Sequence, residues 1–297
     1  MLGRRSAARG RAGYRRGSHD TRGSTVERPT IGIIGTGNMG SALASGWLHA
    51  PEPLPTLVVH DKDPARTLSV TALATPATEV EVAPSVAQLA ASVRVIVMAV
   101  KPQDVPHTLE QLAPRVGSRH TVVSVAAGVA IEQLRQGLGS EPRIFRIMPN
   151  LAVGVGAGVV AVAAEPGTPS DAIMEMLGLF DCMGTVAELP EQLFDAVTAV
   201  AASGPGFMAL VMEGLEDGAV RVGIPRGVAR PFVQQMVLGT ARLLMLGDMS
   251  PAQLKDRVSS AAGTTIAGLA MLEDRGVRGA LVRAIEAAVE RGAQLRS

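Results

Sequence analysis

The stretch IGIIGTGNMG (31–40) is a short apolar run that ends in three glycines spaced G-x-G-x-x-G and passes directly into the helical pattern SALASGWLHA. Glycines at that spacing have separate jobs. Gly35 makes the tight turn out of the strand, Gly37 lets a backbone approach a pyrophosphate, and Gly40 lets the helix lie close against the strand. The N-terminus of the helix, with its unpaired N–H groups and positive dipole end, then faces the phosphates. With Asn38 and Met39 between the last two glycines, the segment predicts a dinucleotide-binding loop.

The pattern downstream agrees. TLVVHD (56–61), VRVIVMAV (93–100), HTVVSVAAG (120–128) and RIFRIMPN (143–150) read as strands. Between them DPARTLSVTALA and KPQDVPHTLEQLAPRV read as helices, each opened by a proline near its first turn. Apart from Arg94, VRVIVMAV is continuously apolar, as suits a strand buried on both faces of a parallel sheet. Strands alternating with helices predict an α/β domain with a doubly wound, Rossmann-like parallel sheet over 29–165. EPGTPSD (165–171) reads as a polar hinge. After a short TVAEL strand, the chain from Pro190 to Arg296 shows helical periodicity punctuated by SGPG, GIPRG, GDMSP and EDRG. The expectation is an all-helical second domain over 166–297. Its helices are rich in Ala, Gly, Met and Leu, with apolar residues on more than one face. One small domain cannot cover that much apolar surface, so the helices predict a homodimer.

Ligands in open α/β sheets bind beyond the carboxyl ends of the strands. Asp61 ends the second strand, where an acid accepts a hydrogen bond from the adenosine ribose and favours NADH; Lys62 and Arg66 would instead hold the 2′-phosphate of NADPH. Asp61 also suits a helix cap in DKDP. AVKP (Ala99, Val100, Lys101, Pro102) and VAAG (ending Ala126, Ala127, Gly128) converge on the same edge, with MPN, which ends in Asn150. Small residues in VAAG leave room for a nicotinamide ring. Lys101 fits a phosphate partner, a general acid or a surface lysine at a helix start.

Composition closes other routes. A net charge of +1 gives no field for nucleic acid. The single cysteine, Cys182, excludes an internal disulfide and a cysteine-rich metal site. Five scattered histidines suggest no metal centre either. The longest apolar stretches, 153–164 and 196–212, are short or broken by Gly, Ser and Pro against the roughly 18 unbroken residues a span needs. The chain therefore reads as soluble and cytoplasmic, without membrane partners. Residues 1–28 carry eight arginines against Asp20 and Glu27 and lack an apolar signal core; they read as a disordered extension.

One segment fits none of these elements. In SSAAGTT (259–265) no side chain is larger than threonine, and both flanks look helical. Such a patch suits either a close helix crossing or backbone N–H groups presented to a small anion.

Taken in order, GxGxMG, AVKP, SVAAGV, RIMPN, SGPGF and LKDRVSSAAGTT resemble the motifs of pyrroline-5-carboxylate reductases, from about Ile31 to Leu295. The most specific part is PAQLKDRVSSAAGTTIAGLAMLE (251–273). The resemblance implies reduction of the cyclic imino acid 1-pyrroline-5-carboxylate to L-proline by NADPH or NADH, in a homodimer paired through the helical domain and often assembled into rings of dimers. By similarity, Ser260 and the N–H groups of Gly263 and Thr264 hold the substrate carboxylate. The Thr265 hydroxyl bonds the ring nitrogen, and Asn150 belongs to the substrate side.

The chain departs from the family in places. Leu151 and Ala152 replace the Thr-Pro that follows MPN, Ala261 and Ala262 replace a Pro and a Gly, and Phe207 stands where a tyrosine is common. These leave open a related cyclic imine as substrate, or a non-catalytic NAD(P)-binding regulator. A β-hydroxyacid dehydrogenase would need a lysine early in the helical domain, where this chain has none.

Overall fold

A computed structural model describes residues 30–294; the extension expected at 1–28 lies outside the described residues. The chain begins with β1 (Ile31–Ile34), α1 (Asn38–Leu48), β2 (Thr56–His60), α2 (Pro64–Thr71), β3 (Glu79–Val82) and α3 (Val86–Ser92). It continues with β4 (Val95–Met98), α4 (Val105–Leu112), β5 (Thr121–Ser124), α5 (Ile131–Leu138) and β6 (Arg143–Pro149). These build one sheet with β7 (Gly158–Ala164) and β8 (Gly184–Glu188), in the order β3-β2-β1-β4-β5-β6-β7-β8. The first six strands are parallel, as the alternating pattern requires.

Two strands escaped the sequence reading. β3 is EVEV, an edge strand whose charged residues blunt pairing with another chain. β7 lies in the apolar stretch 153–164 and runs antiparallel to β6. Its direction follows from the connection, a single 3₁₀ turn over Leu151–Val155 closed by Gly156 at φ 67°, which is too short for a parallel crossover.

The expected domain boundary at 165 is also displaced. α6 (Ser170–Phe180) packs back on the sheet and β8 pairs in parallel with β7, so the sheet body runs to about residue 189. EPGTPSD is a turn inside that body.

Apolar side chains fill both faces of the sheet. One layer gathers Leu89, Ile96, Leu112, Val122 and Leu134; the other gathers Leu43, Trp47, Leu57, Val97 and Phe180. Trp47 of α1 meets Phe180 of α6 with ring centroids 5.2 Å apart and donates its indole N–H to Leu179 O at 2.8 Å. A pair of that kind contributes about 1 kcal/mol beyond burial alone and ties the late strands to the first βα unit.

Beyond the sheet come α7 (Phe194–Val197), a π-helical turn over Thr198–Ala202, α8 (Gly204–Arg221), α9 (Arg226–Leu246), α10 (Pro251–Arg257), α11 (Thr264–Asp274) and α12 (Val277–Gln294). α8 and α9 form an antiparallel pair, and α12 returns against α7 and the π turn. In α10, α11 and α12 no residue is buried. Leu210, Phe232 and Leu246 are 71%, 68% and 87% exposed. Exposed apolar surface on this scale marks an interface. The sequence reading of membrane spans needs correction here: by length and composition the helical stretch Glu191–Arg221, 31 residues, is long and apolar enough to cross one. The glycines and the proline at 204–206 lie in the first turn of α8, after its cap Ser203, where Pro205 removes no intrahelical hydrogen bond.

Candidate active site

The strand order reverses between β1 and β4, which opens a crevice at their carboxyl ends. Gly35 sits there at φ +94° and donates its N–H to His60 O at 2.8 Å. A β-carbon on Gly40 would lie 1.9 Å from Gly35 O, so only glycine allows this helix to approach this turn. At Gly37 the same construction meets nothing nearer than Arg66 Nη1 at 3.6 Å. Gly37 is the N-cap of α1 and supplies no side-chain cap, so the first N–H groups of α1 face open space beside an open backbone. Asn38 is exposed and Met39 half-buried at that mouth. Such a loop fits a pyrophosphate.

The neighbouring strand ends follow in order across the sheet. Ala99 N–H donates to Ile34 O at 2.8 Å, and Val125 N–H to Met98 O at 3.1 Å, placing AVKP between the glycine loop and VAAG. Ala99 and Val100 are half-buried, while Lys101 and Pro102 are exposed where a 3₁₀ turn begins. Lys101 makes no ion pair among the described residues. VAAG turns through Gly128 at φ +76°, with Ala126 buried and Ala127 exposed.

Asp61 is held against the glycine loop. Its Oδ2 accepts the Thr36 N–H at 2.7 Å and the Thr36 hydroxyl at 3.3 Å, and its Oδ1 accepts the Asp63 N–H at 2.9 Å. The helix cap expected from DKDP is Asp63, whose carboxylate accepts the Ala65 N–H at 3.0 Å. Lys62 reaches Asp104 at 3.1 Å and Arg66 reaches Asp63 at 3.5 Å. Thr36, 2% exposed, is a candidate site residue the sequence reading missed. As the x of G-x-G it carries no signal apart from its contact with Asp61.

Asn150 is 8% exposed at the end of β6. Its Nδ2 donates to Ala201 O at 3.0 Å and its Oδ1 accepts the Val159 N–H at 3.1 Å. Asn150 thereby braces β6 and β7 against the π turn, with one amide N–H and one oxygen lone pair left over.

The small-residue segment is a second candidate site. Gly263 N–H donates to Ser260 O at 3.1 Å, closing a four-residue turn whose third residue, Ala262, has φ +55°. Positive φ at that position alone is the arrangement of a type II turn, for which Pro then Gly are preferred at the two central positions. A β-carbon on Gly263 would stand 2.3 Å from Ser260 Oγ. Gly263 is the N-cap of α11 and offers no side-chain cap, so the N–H groups of Thr264 and Thr265 at the start of that helix are left without an intrahelical acceptor. Ser260 and Thr264 are exposed and Thr265 is half-buried. Among the described residues no hydrogen bond links 259–265 to the sheet, so one protomer does not bring Thr265 and the glycine loop together by direct bonding.

Comparison with known proteins covers both parts of the fold. Residues 191–295 match the family described as "Pyrroline-5-carboxylate reductase dimerisation", and residues 30–128 match "NADP oxidoreductase coenzyme F420-dependent". A pyrroline-5-carboxylate reductase from Synechocystis is 39% identical over 89% of this chain and 97% of its own; one from Methanosarcina acetivorans is 36% identical over 91% and 99%. Among solved structures, the Plasmodium falciparum pyrroline carboxylate reductase with NADP bound superposes with a TM-score of 0.79 at 29% identity, covering 91% of this chain and 99% of that one. With both halves of its fold and nearly its full length shared with these enzymes, the chain belongs to the pyrroline-5-carboxylate reductase family.

Proposed function

We propose that this protein reduces 1-pyrroline-5-carboxylate to L-proline with NAD(P)H, the final step of proline biosynthesis, as a cytoplasmic homodimer. One observation carries the substrate reading: the uncapped N-terminus of α11, entered through the bare Ser260–Gly263 turn. Unpaired N–H groups and the positive end of a helix favour a carboxylate, and residues of this size leave space for a ring beside it. When bound, the nicotinamide supplies the hydride. Gly35, Gly37, Asn38, Met39 and Gly40 would hold its diphosphate, Ala99 to Pro102 and Ala126 to Gly128 would flank it along the strand ends, and Asp61 and Lys62 would meet the adenosine ribose.

The chain's own groups have little acid–base work, because a protonated imine is already an electrophile. Ser260 and the Thr264 N–H fix the carboxylate, the Gly263 N–H being held by Ser260 O in the turn, and the Thr265 hydroxyl holds the ring nitrogen as it changes from imine to amine. Their contribution is orientation and exclusion of water, worth several kcal/mol when reacting atoms are held in line.

Dimerisation through the helices supports the same reading. It would cover Leu210, Phe232 and Leu246, and the 31-residue apolar run then has a protein partner in place of lipid. Assembly of the dimers into rings extends the family resemblance.

The test is oxidation of NADH and of NADPH by the purified protein, with pyrroline-5-carboxylate and piperideine-2-carboxylate supplied separately. Turnover of the five-membered imine is expected. Preference for the six-membered ring would overturn the substrate assignment, and coenzyme binding without turnover of either imine would overturn the catalytic one. Sedimentation of a monomer at micromolar concentration would refute the homodimer.

A further inference from the structure

We propose that the end of β2 selects between the two coenzymes and makes this protein prefer NADH, with Asp61 as the specificity-determining residue. The inference rests on the dinucleotide-binding reading above and adds which dinucleotide the chain is built for.

In this fold the adenosine ribose lies at the end of the second strand. Asp61 is there, and it is fixed in place. The Thr36 N–H, the Thr36 hydroxyl and the Asp63 N–H all donate to its carboxylate, at 2.7, 3.3 and 2.9 Å. A carboxylate offers about four acceptor positions, so one remains for a ribose hydroxyl. Thr36 is buried and belongs to the glycine loop itself, so the carboxylate cannot swing away without disturbing the turn that receives the diphosphate.

The cations that could welcome a 2′-phosphate are already engaged. The Lys62 ammonium lies 3.1 and 3.2 Å from the two oxygens of Asp104. Arg66 pairs with Asp63 at 3.5 Å, and its Nη1 lies 3.6 Å from where a β-carbon on Gly37 would stand. That places the guanidinium by the diphosphate, a group both coenzymes share. Three carboxylates (Asp61, Asp63, Asp104) against two cations (Lys62, Arg66) leave the cluster at −1. A 2′-phosphate monoester adds a charge of about −2 beside a carboxylate that cannot move away. The ribose hydroxyl of NADH adds a donor where an acceptor is open.

The test is calorimetric titration of the full-length protein with NADH and with NADPH, without imine. NADH is expected to bind at least about ten-fold more tightly, equivalent to about 1.4 kcal/mol. Asp61→Asn removes the charge and keeps the shape, and should reduce the NADH-to-NADPH preference at least about five-fold, chiefly by strengthening NADPH. Asp104→Asn lies outside the glycine loop and releases Lys62; NADPH affinity should rise about three-fold with NADH affinity unchanged. Equal or tighter NADPH binding by the unmodified protein overturns the proposal, as does an unchanged preference in Asp61→Asn with an unchanged melting temperature. If Asp61→Asn fails to fold, an Asp104→Asn variant with unaltered NADPH affinity overturns it instead. These results are separable from failure of the underlying reading. A protein that favours NADPH and still turns over the imine refutes only the coenzyme choice, whereas one that binds neither coenzyme refutes the dinucleotide site.

Discussion

Ala262 should be improved by becoming glycine. It holds φ +55° at the third position of the Ser260–Gly263 turn, where an L-residue with a β-carbon is disfavoured by roughly 1–2 kcal/mol. Glycine removes that penalty but loses about 0.5–1 kcal/mol through the extra freedom of its unfolded chain. The net for Ala262→Gly is stabilisation by about 0–1.5 kcal/mol, or an upward shift in Tm of about 0–4 °C. The local consequence is larger than the global one. Relief of about 1 kcal/mol in the turn that enters α11 favours the closed turn about five-fold, and apparent substrate affinity falls with the fraction of competent loop. KM for the imine should therefore fall by up to about five-fold with little change in kcat. Ala262→Val supplies the opposite perturbation, since a β-branched residue at positive φ is a severe outlier; it should lower Tm by at least about 2 °C and raise KM. Differential scanning fluorimetry and steady-state kinetics on the three proteins measure both effects. If Ala262→Gly lowered Tm by more than about 2 °C or raised KM, the strain argument would be refuted.

Thr265→Ala should lower kcat/KM for the imine at least about ten-fold while leaving the calorimetric affinity for coenzyme intact, with partial recovery in Thr265→Ser; full activity in the alanine variant would remove the hydroxyl from the mechanism. Gly40→Ala places a β-carbon 1.9 Å from Gly35 O, so it should abolish coenzyme binding or soluble expression, and a normal binding isotherm would contradict the packing described. Asn150→Ala leaves Ala201 O and the Val159 N–H unpaired near the sheet edge and should cost about 2–4 kcal/mol, seen as a lower urea midpoint at unchanged m; the midpoint of the unmodified protein would mean water replaces the amide. The Glu273 carboxyl is held below its usual range first by the hydrogen bond from Arg278 and then by that residue's charge. Its contribution is present above the unfolded value and is lost as pH falls through the folded one, so the stability difference between the protein and Glu273→Gln should shrink on acidification below about pH 4. A difference that grew there would reverse the sign of the interaction.

The parallel strands and the glycine loop were legible because each rests on local chemistry: apolar runs, proline at helix starts, and glycines of which Gly35 and Gly40 meet a steric demand within the fold. β3 was not, since EVEV carries the charge of an exposed edge and is only four residues long. β7 was hidden by its composition, for GVVAVAA is apolar throughout and has no period to distinguish a strand from a helix. The boundary at 165 failed for a related reason. EPGTPSD has the residues of a linker, but whether a turn separates domains depends on what the following strand pairs with, and β8 pairs with β7. In the site, the sequence pointed to Asp61 and Asn150 by position alone. What it could not supply was which atoms their side chains already hold, which for Asn150 are Ala201 O and the Val159 N–H.

The brace has a consequence for recombining this enzyme with its relatives. Arg146, two turns of pleat before Asn150 on β6, donates to Glu191 at 2.9 Å and lies with its guanidinium carbon 5.0 Å from the centre of the Phe194 ring, and Glu191 also accepts the Ile131 N–H at 2.9 Å. Together with the bond from Asn150 to Ala201, these contacts make residues 191–201 a seat for the sheet, although they are helical. A chimera cut where the sheet ends would graft a foreign seat onto β6 and leave a buried arginine to find a new partner. One cut after the π turn, at Ser203, carries the seat along and exchanges only what stands on it.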